Sequence, residues 1–425
     1  MTITIIAFLV LILIGTPIVF ALGVSAALTL ELSGVPISIV AQRIYAGLDS
    51  FTIMAIPFFV LAGLIMERGG IAQRIIDFAT ALVGWITGSL LMVAVVAGTG
   101  LAAISGSGSA DTAATSSIML PEVKKRGYNI DFAAGIMAAA GTLGPVIPPS
   151  IMMVVLATIS NLSVGGMFLG GIVPGLIMMV GLMLASYLHA RRGGDAYRDA
   201  RPFTFRRLVG TFISAGPAFV MPVIFVGGIV GGVFTPTEAA SVAVFTGLII
   251  ALFVYRELTF AELPDLILRA AAISAAVMMI IATASVFSWL ISSQNVPAAI
   301  ASQIKSLSDN PWVFLALVNL LLIVIGMFME SISAILILVP VLMPIARDLG
   351  IDPLHFGVVV VINLSIGMIT PPYGITLFVA SSIAGRSIMQ VASKISLPFL
   401  FMLACLLLAT YVPDIVMFLP RNLIN

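Results

Sequence analysis

The sequence predicts an all-α polytopic membrane protein with an inverted-topology repeat, two re-entrant hairpins and two broken helices. Three observations predict it. First, 61% of the 425 residues are hydrophobic and 9% charged, at a mean hydropathy of +1.22, which leaves too little polar surface to cover a water-soluble fold. Second, apolar stretches recur at lengths that cross about 30 Å of hydrocarbon. Third, a set of Gly and Pro positions returns 223 residues further on, as Pro121/Pro344, Gly127/Gly350, Gly144/Gly367, Pro148/Pro371 and Pro149/Pro372.

In chain order, spans are expected at 3–31, 51–67, 133–160, 165–189, 208–233, 236–255, 270–292, 354–381 and 395–418. The first carries no basic region ahead of it and no small-residue cleavage site behind it, and reads as a retained span rather than a leader. Two apolar regions, 86–120 and 312–345, are interrupted by small and polar residues, Ser105 to Asp111 and Met329 to Ser333. They are predicted to be helical hairpins, because irregular backbone survives at membrane depth only inside protein or against a water-filled cavity. Amphipathic stretches at 71–83 and 258–268 are expected to lie along the interface. The chain then divides into a first repeat, 1–205, a linking span, 206–235, and a second repeat, 236–425. A further echo, Thr16-Pro17 and Thr235-Pro236, opens a span in each half. One crossing between the halves inverts the second relative to the first, the plan of many secondary transporters.

Charge gives an independent reading of the topology. The most basic connectors are 189–207 and 122–127. Placing both inside, with the N-terminus inside and the C-terminus outside, puts 15 of the 19 Lys and Arg residues on the cytoplasmic side and leaves Arg43, Lys305, Arg347 and Arg421 outside. A net charge of +1 with no basic patch excludes nucleic acid as a partner. A single cysteine, Cys405, excludes an intrachain disulfide and a cysteine metal site, and no phosphate-binding loop is present for ATP hydrolysis. An ion gradient is the expected energy source.

The motifs that carry chemistry interrupt the apolar pattern. Proline lacks an N–H, so Pro145, Pro148 and Pro149 release the carbonyls of Gly141, Gly144 and Pro145 from helical bonds, and Pro371 and Pro372 release those of Gly367 and Met368. Such oxygens suit a hard cation such as Na⁺; the plainer reading of any one proline is a kink. At the first hairpin tip, glycines permit the reversal, and the helix starting near Ser109 aims its N–H groups and positive dipole end at the site, where an anion is favoured. Asp111, and Glu330 on the second hairpin, are acids in membrane segments without an evident basic partner, so they must take a proton or a cation. Helix capping is the alternative role for both. Glu238, after Thr235-Pro236-Thr237, reads as a helix-start acid, and Trp85, Trp289 and Trp312 read as interfacial anchors.

The sequences SGSGSADTAA from Ser105, GTLGPVIPPS from Gly141, GMFMES from Gly326 and GMITPPYG from Gly367 resemble the large membrane subunit of tripartite ATP-independent periplasmic (TRAP) transporters, the DctM-type family, and the resemblance spans essentially the whole chain. It implies an elevator of the ion-transporter-superfamily type in the bacterial inner membrane, driven by two or more Na⁺ ions. The solute would be a small carboxylate, such as a C4-dicarboxylate, sialic acid or another sugar or keto acid. A periplasmic solute-binding protein would deliver it, and a separate small four-helix membrane subunit would be a partner. The candidate solute contacts are Ser107, Gly108, Ser109, Asp111, Thr112, Ser150, Ser331 and Thr376. The candidate Na⁺ ligands are Ser105, Gly106, Gly141, Gly144, Pro145, Met329, Glu330, Gly367, Met368 and Thr370. No Lys or Arg lies deep in a span to pair with the anion.

Other functions compete. A stand-alone Na⁺/carboxylate symporter would share the architecture without needing a binding protein, and a passive channel would share the broken helices. An intramembrane hydrolase would need a nucleophile with a paired base, and no His stands near Ser107 or Asp111 in sequence, so an enzyme is not expected.

Overall fold

The computed structural model describes residues 2–194, 197, 202–294 and 310–424, and every regular element among them is helical. Lys305 and residues 195, 196 and 198–201 of the basic connector lie outside the described residues. The first part of the chain forms α1 (Thr2–Leu13), α2 (Ile18–Leu32), α3 (Ser38–Leu48), α4 (Ala55–Arg68) and α5 (Ile71–Val83). A hairpin of α6 (Ser89–Ser105) and α7 (Gly108–Lys125) follows, then α8 (Ile130–Gly141), α9 (Ile151–Ser160) and the long α10 (Val164–Arg192). Next come α11 (Phe205–Val230), α12 (Pro236–Val254) and α13 (Leu263–Ser293). The second hairpin is α14 (Pro311–Gly326) and α15 (Ser331–Asp348), followed by α16 (Pro353–Gly367), α17 (Ile375–Ala384), α18 (Ile388–Ala392), α19 (Ser396–Tyr411) and α20 (Pro413–Leu423).

Both hairpins and both broken helices form where the sequence interrupts itself, and side-chain caps fix the new starts. Asn129 accepts from Phe132 N, Ser150 from Met153 N, Asp352 from Leu354 N and His355 N, and Glu330 from Ser333 N, each supplying an acceptor to the open first turn. Thr235 and Glu238 form a reciprocal capping box at the start of α12.

The expectation of nine full spans, two of them broken, needs correction. Five of the described helices are long and apolar enough to cross a membrane alone, and two more spans arise if each bent pair counts as one. The stretch 3–31 is two helices, α1 and α2, folded onto each other where Gly15 takes a positive φ of 88° and Pro17 restarts the chain. The span 51–67 is the 14-residue α4, which bends by 68° at Gly69-Gly70 into α5. That second helix buries Ile71, Ile75, Ile76 and Ala79 along one face, which accounts for its amphipathic pattern. The stretch 258–268 is no separate interfacial helix, because Thr259 and Glu262 cap a single turn that runs on into α13. The stretch 395–418 bends by 61° where Pro413 begins α20.

The 223-residue offset reappears in the helix boundaries. Adding 223 to the starts of α6, α7, α8 and α9 gives 312, 331, 353 and 374, and α14, α15, α16 and α17 start at 311, 331, 353 and 375. The Pro148-Pro149 and Pro371-Pro372 peptide bonds, also 223 apart, are both cis. Packing repeats as well: α9 lies against α15, and its counterpart α17 lies against α7, so each post-break helix crosses to the other half's hairpin. The broken helices form the centre of the molecule. Every residue of 132–141 and of 355–367 is buried, as their Ala, Gly and Val on all sides require.

Two faces can be told apart from α10, whose 29 residues span about 44 Å. At its C-terminal end, His189 stacks on Phe132 at 3.5 Å, and Tyr197 Oη accepts from Asn129 N, which holds His189 and Tyr197 against the start of α8. At the same end, Arg386 holds Asp131 through two hydrogen bonds of 2.6 and 2.9 Å. At the far end, Asn161 precedes the start of α10, and Arg347 donates to Ser160 O at 3.0 Å.

Candidate functional site

The first hairpin tip and the first helix break fit together without room for a side chain. Gly106 reverses the chain with φ +63°, and a methyl group there would strike Pro149 O. A methyl on Gly144 would stand 2.9 Å from Gly108 N and 3.0 Å from Asp111 Oδ2, and one on Gly141 would strike Thr112 Oγ1. The second break reaches the same place, since Met368 Cε would lie 2.9 Å from a methyl on Gly108. The tip of the first hairpin therefore sits between the two breaks.

Asp111 is the buried acid of this junction, 2% exposed. Ser105 Oγ donates to its Oδ1 at 2.6 Å and accepts from Ser107 N at 3.0 Å, tying the tip to the carboxylate. Its Oδ2 is buried with no hydrogen-bond partner among the described residues. Thr112 Oγ1 donates to Gly108 O at 2.7 Å, and a void of 20 Å³, room for one water at most, separates Asp111 from Glu67 on α4. Ser109 is partly exposed at the start of α7.

Of the carbonyls expected to be released by proline, most are taken up within the breaks themselves. Gly141 O accepts from Gly144 N at 3.0 Å, Pro145 O from Ser150 Oγ at 2.6 Å, and Gly367 O from Thr370 N at 3.0 Å. Met368 O accepts from both Thr376 N, at 3.1 Å, and Thr376 Oγ1, at 2.9 Å. Gly144 O accepts no hydrogen bond from the described residues. The breaks are thus compact turns held by Ser150, Thr370 and Thr376, because a buried carbonyl finds the nearest donor once its helical one is gone. The carbonyls of Gly141, Pro145 and Gly367, with one hydrogen bond each, keep a second lone pair, whereas both lone pairs of Met368 O are taken.

The second hairpin differs from the first. Glu330 is exposed and caps its own helix through Ser333, and Met329 is partly exposed beside it. Ser331 is buried and donates to Leu364 O at 3.4 Å, while Gly326 packs backbone to backbone on Gly367. The two tip acids are therefore not equivalent: Asp111 is sealed in, and Glu330 is on the surface. Sequence reading passed over Glu67, which has no motif around it. It also passed over a buried ladder in which Asn363 donates to Asn319 at 2.9 Å and Asn319 to Thr410 at 2.9 Å, tying α16 to α14 and α19 one turn before the second break. Asparagines in apolar helices were the available signal.

Two hairpins set against two centrally broken helices define an α-helical membrane-transport fold. The Alcanivorax borkumensis YdaH transporter shares it, with a TM-score of 0.65 and 16% identity over 88% of this chain and 86% of that one, a likeness of fold alone. The chain belongs to the DctM component family of tripartite ATP-independent periplasmic transporters, whose family model matches residues 5–415. It is 42% identical to the C4-dicarboxylate TRAP transporter large permease protein DctM of Pseudomonas aeruginosa, over 94% of both chains. It is 39% identical to the 2,3-diketo-L-gulonate TRAP transporter large permease protein YiaN of Escherichia coli, over 97% of this chain and 96% of that one. It is 43% identical to the isethionate TRAP transporter permease protein DctMQ of Oleidesulfovibrio alaskensis, covering 97% of this chain but 65% of that longer relative.

Proposed function

We propose that this chain is the solute-translocating subunit of an Na⁺-driven importer for a small organic anion in the bacterial inner membrane. A periplasmic binding protein hands over the solute, and a small four-helix membrane subunit completes the assembly. The names of its relatives refer to C4-dicarboxylates, 2,3-diketo-L-gulonate, isethionate and sialic acid, all small organic acids, which supports the solute class. The two hairpins and two broken helices pack across one another as a single body, which supports carriage of the site as a unit, the elevator mode.

The observation that carries the reading is Asp111. Its Oδ2 is buried and has no partner among the described residues, beside Gly144 of the first break, and its Oδ1 accepts from the Ser105 hydroxyl. An oxygen-only set with one carboxylate fits a hard monovalent cation, and Ser105, Asp111 and the Gly144 carbonyl are the groups that would hold it. The bound ion would supply positive charge next to the N-terminus of α7, where the anion is to be held without a buried Lys or Arg. Ser150, Ser331 and Thr376, at the starts of α9, α15 and α17, are the hydroxyls that would meet the solute on leaving the carbonyls they now hold.

The test is uptake into liposomes containing the complete membrane assembly, with solute-loaded binding protein outside. Uptake should require both an inward Na⁺ gradient and the binding protein. Asp111→Asn should raise the Na⁺ half-saturation at least about ten-fold or abolish uptake, and the comparison variant Glu238→Gln should behave as the parent. An Asp111→Asn variant with parental Na⁺ half-saturation and rate would show the carboxylate to be a structural cap.

A further inference from the structure

On the face opposite the basic connectors, α9 ends at Ser160 and the chain turns through Asn161, whose φ is +53°. A cleft opens at this corner. One part, of 420 Å³, lies between α3 and α13 on one side and α9 and α15 on the other; a second, of 360 Å³, continues along α15. The two share Ile159, Asn161, Ser288 and Pro340, so they form one depression. No acid lines the first part, and Asp348, next to Arg347, is the only one lining the second among the described residues.

Several donors in this cleft have no partner among the described residues. The Arg43 guanidinium lies over the Trp289 ring, 4.9 Å from its centroid, so Trp289, expected as an interfacial anchor, also carries a cation. Stacking on the face leaves the in-plane N–H edge of the guanidinium free, the edge that pairs bidentately with a carboxylate or sulfonate. The helix carrying Arg43 is clamped: Ser285 Oγ donates to Arg43 O at 2.8 Å, and a methyl on Gly47 would strike Ser285 Oγ. Neither the guanidinium of Arg43, nor the Asn161 amide, nor the Ser288 hydroxyl has a hydrogen-bond partner among the described residues. Arg347 gives one N–H to Ser160 O and has no carboxylate partner among them.

We propose that this cleft is an anion-receiving site, in which Arg43 on its Trp289 platform in one part and Arg347 in the other draw in and bind a small organic anion. Two uncompensated guanidinium groups in a depression lined by one carboxylate give a positive local potential that concentrates anions. The volume suits a small organic acid. The ten-residue α9 runs from the cleft to Ser150, and α15 runs from it to Ser331, so the site stands about 15 Å outside the helix breaks. Binding here does not depend on the transport reading; only the site's place on the solute route rests on it.

The test uses the full chain in lipid nanodiscs with Trp85 and Trp312 changed to Phe, leaving Trp289 as the only one of the three Trp residues. Succinate, isethionate, sialic acid and 2,3-diketo-L-gulonate are titrated at constant ionic strength, with glycerol and sodium chloride as controls. At least one acid should give a saturable change in Trp289 emission, and the controls none. Arg43→Gln and Arg347→Gln should each weaken that binding about ten-fold, and Arg43→Lys should restore only part, because an ammonium is a point charge and not a fork. No saturable change with any of the four acids, an equal change with sodium chloride, or parental affinity in both Gln variants overturns the proposal. Failed Na⁺-driven uptake with the titration intact would instead count against the proposed function.

Discussion

At the scale of single residues, the close approach of backbone to backbone at the hairpin tip sets the strictest requirement. Gly141 faces Thr112 and Gly108 O so closely that Gly141→Ala must push the first hairpin away from its break. We expect a loss of about 1–3 kcal/mol in stability, seen as a lower midpoint in thermal unfolding, together with a large loss of uptake. Glu330 leads to the opposite expectation. Its carboxylate is exposed and accepts from Ser333 N at 3.0 Å, so Glu330→Gln should retain most of the Na⁺ dependence that Asp111→Asn loses, measured in the same uptake assay. Asp111 could be picked out from sequence because an acid in an apolar run is conspicuous. The difference between Asp111 and Glu330 could not, since it depends on which neighbours cover each tip.

At the scale of elements, helix starts are the points where sequence and structure agree best. Ser150 opens α9 by accepting from Met153 N at 3.2 Å, and it also donates to Pro145 O at 2.6 Å, while being 1% exposed. Ser150→Ala should cost about 1–2 kcal/mol in unfolding free energy and loosen the first break, which hydrogen exchange at residues 145–153 would register. The Asp131–Arg386 pair joins the start of α8 to the connector after α17, and the guanidinium holds the Asp131 carboxyl below its ordinary value of 3.8. A depressed folded-state value means that the stabilisation is present above pH 3.8 and is lost as pH falls through the depressed value. Asp131→Asn should therefore lower the unfolding midpoint at pH 7, and the gap to the parent should close below pH 3.8 in a series of thermal scans. The change of direction between 51–67 and the amphipathic 71–83 is legible in sequence, and the structure has it as a 68° bend. The 61° bend at Pro413 is not, because a hydropathy stretch records apolar length and not direction.

At the scale of the whole molecule, the basic residues sort onto two faces. Arg74 pairs with Glu257 and Arg386 with Asp131, and Arg126 and Arg207 line one cleft, all among residues assigned to the cytoplasmic side by charge. Arg43 and Arg347 lie at the other end of α10. With buried Cys405 replaced by Ser, a cysteine at Arg192 should be labelled only from the cytoplasm and one at Asp348 only from the periplasm, using impermeant maleimide on intact cells and on inverted vesicles. Labelling of both from the same side would overturn the two-face arrangement.

The sequence by itself determined the solvent, the helical class, the two hairpins, the two broken helices and the 223-residue register, because lipid forces every backbone polar group into a helix except where Gly and Pro forbid it. Tertiary structure alone decided that the post-break helices cross between halves, that Asp111 is sealed while Glu330 is not, and that Arg43 meets Trp289 across 246 residues (289 − 43) of chain. These are contacts between distant segments. Local pattern constrains where a helix starts and stops, but which surfaces meet is settled by close packing of whole helices, in which each side chain's burial depends on all the others.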